Sequence, residues 1–151
     1  MIFSWTVYVA FAIGIFAALI VAAKPKGKDY SRMLKLGAFL AIFDLLFENL
    51  GAVLNFWVSH QSAFYVGYAP IEIPFIALLS GAAYALLFPP KFDLRHSVLL
   101  AIPIAVAGTI IEALLIEQGF LTYSSEWTSM LALPAYWLTF VLLGWVNSKI
   151  K

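Results

Sequence analysis

The chain has 151 residues, of which 64% are hydrophobic and only 11% charged, and its formal net charge is +1. Soluble domains carry about 25% charged residues, so this composition excludes an ordinary soluble protein and indicates an integral membrane protein. The sequence contains no cysteine, which excludes disulfides, thiolate metal sites and thiol nucleophiles. It also contains no glycine-rich phosphate-binding loop, so we expect no nucleotide or redox cofactor, no metal and no nucleic-acid partner.

Five apolar segments are each long enough to form a membrane-spanning helix. The first is followed rather than preceded by positive charge, which favours a retained span over a signal peptide. Two of the connecting loops are basic, whereas the loops at 55–69 and 119–129 contain no Lys or Arg. We therefore predict one all-α transmembrane domain over residues 1–151, a polytopic helix bundle. Its spans are about 3–23, 34–54, 70–88, 98–118 and 130–146.

The distribution of charge predicts the orientation of the bundle. With five spans, all nine basic residues fall on one side, namely Lys24, Lys26, Lys28, Arg32, Lys35, Lys91, Arg95, Lys149 and Lys151. The positive-inside rule then places the N-terminus outside and the C-terminus in the cytoplasm of a multi-pass cell-membrane protein. Aromatic residues near the opposite face match an interfacial belt. They are Trp5, Tyr8, Trp57, Tyr65, Tyr68, Tyr123 and Trp127.

Acidic residues within the spans are the feature that most needs a reason. At 100° per residue, Asp44, Glu48, Gly51 and Asn55 fall on one helical stripe about 60° wide. Carboxyl groups inside a bilayer are costly, and either function or hydrogen bonds between helices could justify them. No Lys or Arg lies in the outer half of any span, so the deeper acids should often be protonated near neutral pH. The acids within predicted spans are Asp44, Glu48, Glu72, Glu112 and Glu117.

A weak internal repeat links the second and fourth spans. Residues 44–51 (DLLFENLG) align with residues 112–119 (EALLIEQG), and each is followed by a Trp-containing loop and a proline. This alignment pairs Asp44 with Glu112, and Glu72 with Tyr136. Both helix hairpins run in the same direction, which predicts a parallel repeat about an axis along the membrane normal.

Protonated acids beside aromatic rings suit two kinds of chemistry. One is general acid catalysis on an apolar substrate, in which aromatic faces stabilise a developing carbocation. The other is binding of a proton or metal cation in a transport path. The candidate catalytic residues are Asp44, Glu48, Glu72 and Glu112. The candidate substrate-binding residues are Asn49, Asn55, Trp57, Tyr68, Glu117, Tyr123, Trp127 and Tyr136.

Two motifs resemble small membrane proteins of carotenoid biosynthesis. They are ENLG at residues 48–51 with the aromatic loop after it, and PIEIPF at residues 70–75. They are similar to the lycopene cyclase domain of the heterodimeric type and to the related carotenoid hydratases, over about residues 40–146. The cyclase family has a second Glu where Ile73 stands here. The resemblance implies a cofactor-independent cyclase (isomerase) or hydratase whose acids act on a lipid-soluble polyene.

Three functions therefore remain open from the sequence. The first is an enzyme, or an enzyme subunit, acting on a polyene or isoprenoid lipid by carboxylic-acid proton transfer. The second is a small proton- or cation-coupled transporter or channel component. The third is a non-catalytic scaffold subunit. Since five helices make a thin bundle, we expect a homo-oligomer or a partner membrane subunit within the lipid. Gly108 and the run Gly81-Ala82-Ala83 predict sites of close helix packing.

Overall fold

The computed structural model describes residues 4–124 and 126–150, and its architecture is helical. The helices are α1 (Trp5–Ala23), α2 (Gly27–Val53), α3 (Glu72–Leu87), α4 (Leu94–Glu117) and α5 (Ser129–Lys149). Short strands lie in the loops: β1 (Trp57–Ser59), β2 (Tyr65–Val66), β3 (Ala69–Pro70) and β4 (Leu121–Tyr123). The prediction of an all-α bundle is confirmed. Among the described residues, α1, α2, α4 and α5 are long and apolar enough to cross a membrane, and α3 is shorter.

Helix α2 begins seven residues before the predicted span, inside the segment expected to be a basic loop. Asp29 explains this early start, because its carboxylate accepts a hydrogen bond from the Lys26 backbone N–H at 3.1 Å. A side-chain acceptor at this position satisfies an N–H group that the first turn would leave without a partner. The basic residues near the start of α2 therefore lie on helix rather than on loop.

Helices α2 and α3 pack closely through glycine. A Cβ atom on Gly81 would lie 2.9 Å from Gly37 Cα and 2.7 Å from the Leu36 carbonyl oxygen. Small residues allow backbones to approach in this way, as the sequence predicted for Gly81. At the beginning of α2, the Arg32 guanidinium donates to the Ala85 carbonyl oxygen at 2.5 Å. Helix α1 packs on the other side of α3.

Strands β1 and β4 join the two halves of the bundle. They pair antiparallel, and the facing residues are Trp57–Tyr123, Val58–Thr122 and Ser59–Leu121. Because β1 follows α2 and β4 follows α4, both helices end at this side of the bundle, which we call the sheet end. Helices α3 and α5 return the chain to the opposite side, the basic end, where Lys91 and Lys149 lie.

The two hairpins, α2–α3 and α4–α5, are related by a local two-fold arrangement at the sheet end. The His60 N–H donates to the Phe120 carbonyl at 2.8 Å, and the Ser124 N–H donates to the Phe56 carbonyl at 2.9 Å. Each member of the second hydrogen bond is 64 residues from its counterpart in the first (60 and 124, 56 and 120). The turns after α2 and α4 have the same offset, in the bonds Phe56 N to Gly51 O and Phe120 N to Leu115 O, both 2.8 Å.

This offset corrects the alignment made from the sequence. It pairs Glu48 with Glu112, rather than Asp44 with Glu112. It also pairs Asn55 with Gly119, which both have positive φ, at 56° and 76°. The predicted match was therefore wrong by four residues. A slip of four residues is close to one helical turn and leaves the same face aligned, so apolar helices alone do not reveal it. The matches of Pro70 with Pro134 and Glu72 with Tyr136 already have the offset of 64.

Candidate functional site

A cavity of about 50 Å³ lies between α2, α4 and α5 near the sheet end, and we call it the acid cavity. Three carboxyl groups and two indole rings contribute to its wall. The lining residues are Phe43, Asp44, Phe47, Glu48, Trp57, Glu112, Trp127, Ala132, Ala135, Tyr136 and Thr139. No Lys, Arg or His is among them. The cavity therefore gathers acids from separate helices without a cationic side chain in its lining to neutralise them.

Glu48 is held in place by β1. Its Oε2 atom accepts hydrogen bonds from Trp57 Nε1 and Ser59 Oγ, each at 3.2 Å. Alternate residues of a strand point to the same face, so β1 presents both donors to one carboxyl group. Asp44 lies one turn earlier on the same face of α2 and is close enough to Glu48 for their charges to repel. Two donors on one oxygen favour the ionised form of Glu48 over that of Asp44.

Glu112 approaches the cavity from α4 and faces the hydroxyl groups of Tyr123 and Tyr136. Burial, and next the contact with Glu112, raises the pKa of Tyr123 above its usual range. With the offset of 64, Tyr123 is the counterpart of Ser59. Each strand therefore presents an equivalent residue to an equivalent glutamate, Ser59 to Glu48 and Tyr123 to Glu112.

Several buried polar atoms at the acid cavity lack a hydrogen-bond partner. Within residues 4–124 and 126–150, Glu112 Oε2, Tyr123 Oη and Trp127 Nε1 have no well-aligned partner. Buried polar groups are nearly always paired, so three such atoms around one cavity indicate that it holds water or a polar group of a ligand. The atoms include both donors and an acceptor, and this mixture suits a water molecule.

The aromatic side of the acid cavity is a packed cluster. The ring centroids of Trp57 and Trp127 are 4.7 Å apart, and Phe47 lies 5.2 Å from Trp57. Phe56 stacks on Trp127 at 5.4 Å. A Cβ atom on Gly51 would overlap the Trp57 indole, so only glycine at this position lets the indole lie against α2. The faces of these rings carry negative charge density, which attracts a cation nearby.

The structure brings most of the predicted site residues together. Asp44, Glu48, Glu112, Trp57, Trp127 and Tyr136 line the acid cavity, and Tyr123 contacts Glu112 beside it. Sequence reasoning did not single out Phe43, Phe47 or Ser59. The two phenylalanines could have been found, because they precede Asp44 and Glu48 by one residue each on the same turns. Ser59 depends on the strand conformation of a short loop segment, for which the sequence gives little signal.

Five predicted site residues do not line the acid cavity. Glu72 begins α3, and its carboxylate accepts a hydrogen bond from Ser62 Oγ at 2.6 Å. Asn49 instead holds the β2–β3 turn, since its Oδ1 accepts from the Tyr68 N–H at 2.8 Å. Asn55 is exposed at the end of α2, and Glu117 is exposed at the end of α4. Tyr68 is 60% exposed. The structure gives these residues capping, turn or surface positions.

The arrangement can transfer protons but does not form a metal centre. Among the described residues, no group of three or more His, Asp or Glu side chains is placed to hold a metal ion. The fold and the cavity together define a helical bundle of the integral-membrane kind with an acid-lined aromatic cavity at one end. Comparison with protein-family models, curated proteins and solved structures finds no match to this chain. The resemblance to carotenoid enzymes therefore depends on the sequence motifs alone.

Proposed function

We propose that the chain is a membrane-embedded enzyme, or a subunit of one, that acts on a polyene or isoprenoid lipid by proton transfer from carboxylic acids. The observation that supports this function is the shared lining of the acid cavity, with Asp44, Glu48 and Glu112 beside Trp57 and Trp127. Protonation of an alkene needs an acid in an apolar site and a neighbour that stabilises positive charge. The carboxyl groups and the indole faces provide these two functions.

The carboxyl groups have different roles in this proposal. Asp44 or Glu112 donates its proton to an alkene carbon, and the π electron pair forms the new C–H bond. A carbocation remains on the adjacent carbon. In cyclisation a second double bond attacks this cation, and the Glu48 carboxylate then removes a proton to restore a double bond. In hydration a water molecule adds to the cation and gives its proton to Glu48. Neither route changes the oxidation state overall, so neither needs a redox cofactor.

The size of the acid cavity bears on how such a substrate enters. A volume of about 50 Å³ holds about four water molecules and cannot enclose a polyene. Helix α2 contacts α5 much less than it contacts α3, so the α2–α5 seam is the weakest boundary of the cavity. Separation of these helices would admit the end group of a polyene sideways from the lipid, while the rest of the chain stays between acyl tails.

In the proposed topology, five helices cross the cell membrane with the sheet end outside. Helix α3 has 16 residues, about 24 Å at 1.5 Å per residue, so its flanking residues complete a core of about 30 Å. The chain lacks cysteine, so single-cysteine variants can report the side of the membrane. An impermeant maleimide on intact cells should label Gln61→Cys and should not label Lys91→Cys. Labelling of both variants, or the reverse pattern, would refute this topology.

The enzymatic proposal is tested with the full chain in membranes, lycopene as the probe, and chromatography of the products. We expect Glu48→Gln and Glu112→Gln to lower turnover by about 10²-fold or more, as loss of a general acid or base does. Glu117→Gln is the matched control, because Glu117 lies on α4 and is exposed outside the acid cavity. Activity that survives Glu48→Gln but not Glu72→Gln would move catalysis to the motif that resembles the cyclases. The absence of product from the wild type would refute polyene chemistry on this probe.

A proton-binding or transport role is the second candidate. It is favoured by the small volume of the acid cavity and by the unpartnered atoms around it, since both suit a few water molecules beside carboxyl groups. In liposomes with a trapped pH-sensitive dye, this role predicts proton flux that Asp44→Asn abolishes and Glu117→Gln preserves. Flux that is insensitive to both substitutions would exclude the acid cavity as a proton path.

A further inference from the structure

A second cavity lies at the basic end, away from the acid cavity. Its volume is about 30 Å³, and it is enclosed by the end of α3, the turn that follows, the beginning of α4 and the end of α5. The lining residues relevant to binding are Tyr84, Lys91, His96, Ser97, Gly144 and Asn147. Neither catalysis nor proton transfer at the acid cavity uses any of these side chains.

Asn147 contributes an unpartnered acceptor to this second cavity. The residue is 1% exposed, and its Nδ2 lies 3.4 Å from the Phe88 carbonyl and 3.3 Å from the Pro89 carbonyl. These two acceptors determine the orientation of the amide, because a flipped amide would place Oδ1 against both carbonyl oxygens. Among the described residues, Asn147 Oδ1 has no hydrogen-bond partner. A buried acceptor without a partner is unfavourable, so a ligand that carries a donor is expected here.

Two hydroxyl groups converge on the same space. A Cβ atom on Gly144 would lie 3.0 Å from Tyr84 Oη and 3.1 Å from Ser97 Oγ. Both residues are buried, Tyr84 with 6% and Ser97 with 6% of their surface exposed. Gly144 therefore leaves room, beside two groups that can donate or accept, that any side chain would fill. The inner part of the cavity is suited to a small polar group such as a hydroxyl.

The mouth of the second cavity is cationic. Lys91 and His96 line it and are exposed, and no Asp or Glu is in the lining. The nearby Asp93 is already used as the N-cap of α4, where it accepts from the His96 N–H at 2.9 Å. An anionic group is therefore favoured at the mouth, whereas a hydroxyl is favoured further in.

We propose that this second cavity binds a phosphate ester of a polyol, with the phosphate at Lys91 and His96 and a hydroxyl donating to Asn147 Oδ1. A volume of about 30 Å³ is room for about two water molecules, so it accepts a hydroxymethyl group and leaves the phosphate at the mouth. The basic end is where lipid phosphates lie if the helices cross a bilayer. The ligand is a glycerol-type anionic lipid headgroup or a soluble polyol phosphate with the same chemistry.

Native mass spectrometry of the full chain in detergent can test this site with defined probes. Phosphatidylglycerol carries both a phosphate and a free headgroup hydroxyl, phosphatidic acid lacks the headgroup hydroxyl, and phosphatidylcholine has no net negative charge. We expect phosphatidylglycerol to be retained above the other two. Displacement by sn-glycerol 3-phosphate at similar concentration would support the site and assign it to a soluble ligand.

Variants separate the parts of the site. Gly144→Ala fills the space beside the two hydroxyls and should weaken phosphatidylglycerol binding at least tenfold. Lys91→Gln should weaken it about fivefold, as expected for one cation near anionic lipid. Ser97→Ala removes a hydroxyl without adding volume and serves if Gly144→Ala does not fold. Lys149→Gln is the control, since Lys149 is an exposed cation at the same end that does not line the cavity. Equal retention of phosphatidylglycerol and phosphatidic acid, with no effect of Gly144→Ala or Ser97→Ala, would overturn the proposal.

Discussion

The two indoles of the acid cavity offer a matched pair of substitutions. Trp57 and Trp127 belong to the same aromatic cluster, with centroids 4.7 Å apart. Trp57 Nε1 donates to Glu48 Oε2 at 3.2 Å, whereas Trp127 Nε1 has no partner among the described residues. Replacing each by phenylalanine keeps an aromatic ring and removes the N–H. Only Trp57→Phe should therefore break a hydrogen bond.

The size of the difference follows from these contacts. The smaller ring loses on the order of 40 Å² of buried surface, about 1 kcal/mol at 25 cal/mol per Å², at either position. Trp57→Phe also removes a donor to Glu48. This loss costs about 0.6 kcal/mol for an average side-chain bond within a membrane and up to about 3 kcal/mol for a bond to a charged group. Trp127→Phe removes a buried donor without a partner, which costs nothing further. We expect Trp57→Phe to be less stable than Trp127→Phe by about 1–2 kcal/mol.

The measurement is the free energy of unfolding in mixed micelles, followed by circular dichroism at 222 nm so that the lost indole does not alter the signal. A difference near the upper limit would indicate that Glu48 is ionised, and one near the lower limit that it is neutral. If both variants are equally stable, or if Trp127→Phe is the less stable, the assignment of Trp57 as the donor that orders Glu48 is wrong.

Two further predictions concern helix packing and the response to alkaline pH. Gly81→Ala should destabilise the protein by about 1–3 kcal/mol, because the backbone of α2 blocks the new methyl group. Gly14→Ala should instead be neutral or stabilise by up to about 1 kcal/mol, since nothing lies within 4 Å of its Cβ position. Equal unfolding free energies of the two variants by circular dichroism would contradict the close α2–α3 contact. The pKa of Tyr123 is raised by burial, so its stabilising effect is complete below the ordinary tyrosine value near 10 and is lost as pH rises above it. The wild type should lose stability more steeply above about pH 10 than Tyr123→Phe, and parallel pH profiles would show that Tyr123 is not buried beside Glu112.

The sequence by itself determined the class of the protein and the positions of its helices. Long apolar segments and their breakers are local features, because a segment of about 20 apolar residues is stable as a helix in lipid whatever its neighbours are. The one-sided distribution of basic residues is likewise a property of the linear chain. The placement of Asp44, Glu48 and Glu112 within helices could therefore be predicted from the residues alone.

Only the tertiary structure decided which of these acids meet. Helices that are apolar all round do not reveal which face is buried, so a shift of four residues left Asp44 paired with Glu112 in the sequence alignment. The pairing of β1 with β4 joins segments more than 60 residues apart, and it selects Glu48 and Glu112 as equivalents. The same long-range contacts place Glu72 against Ser62 rather than in the acid cavity. Contacts between distant segments depend on how the helices pack, and the local pattern of residues does not contain that information.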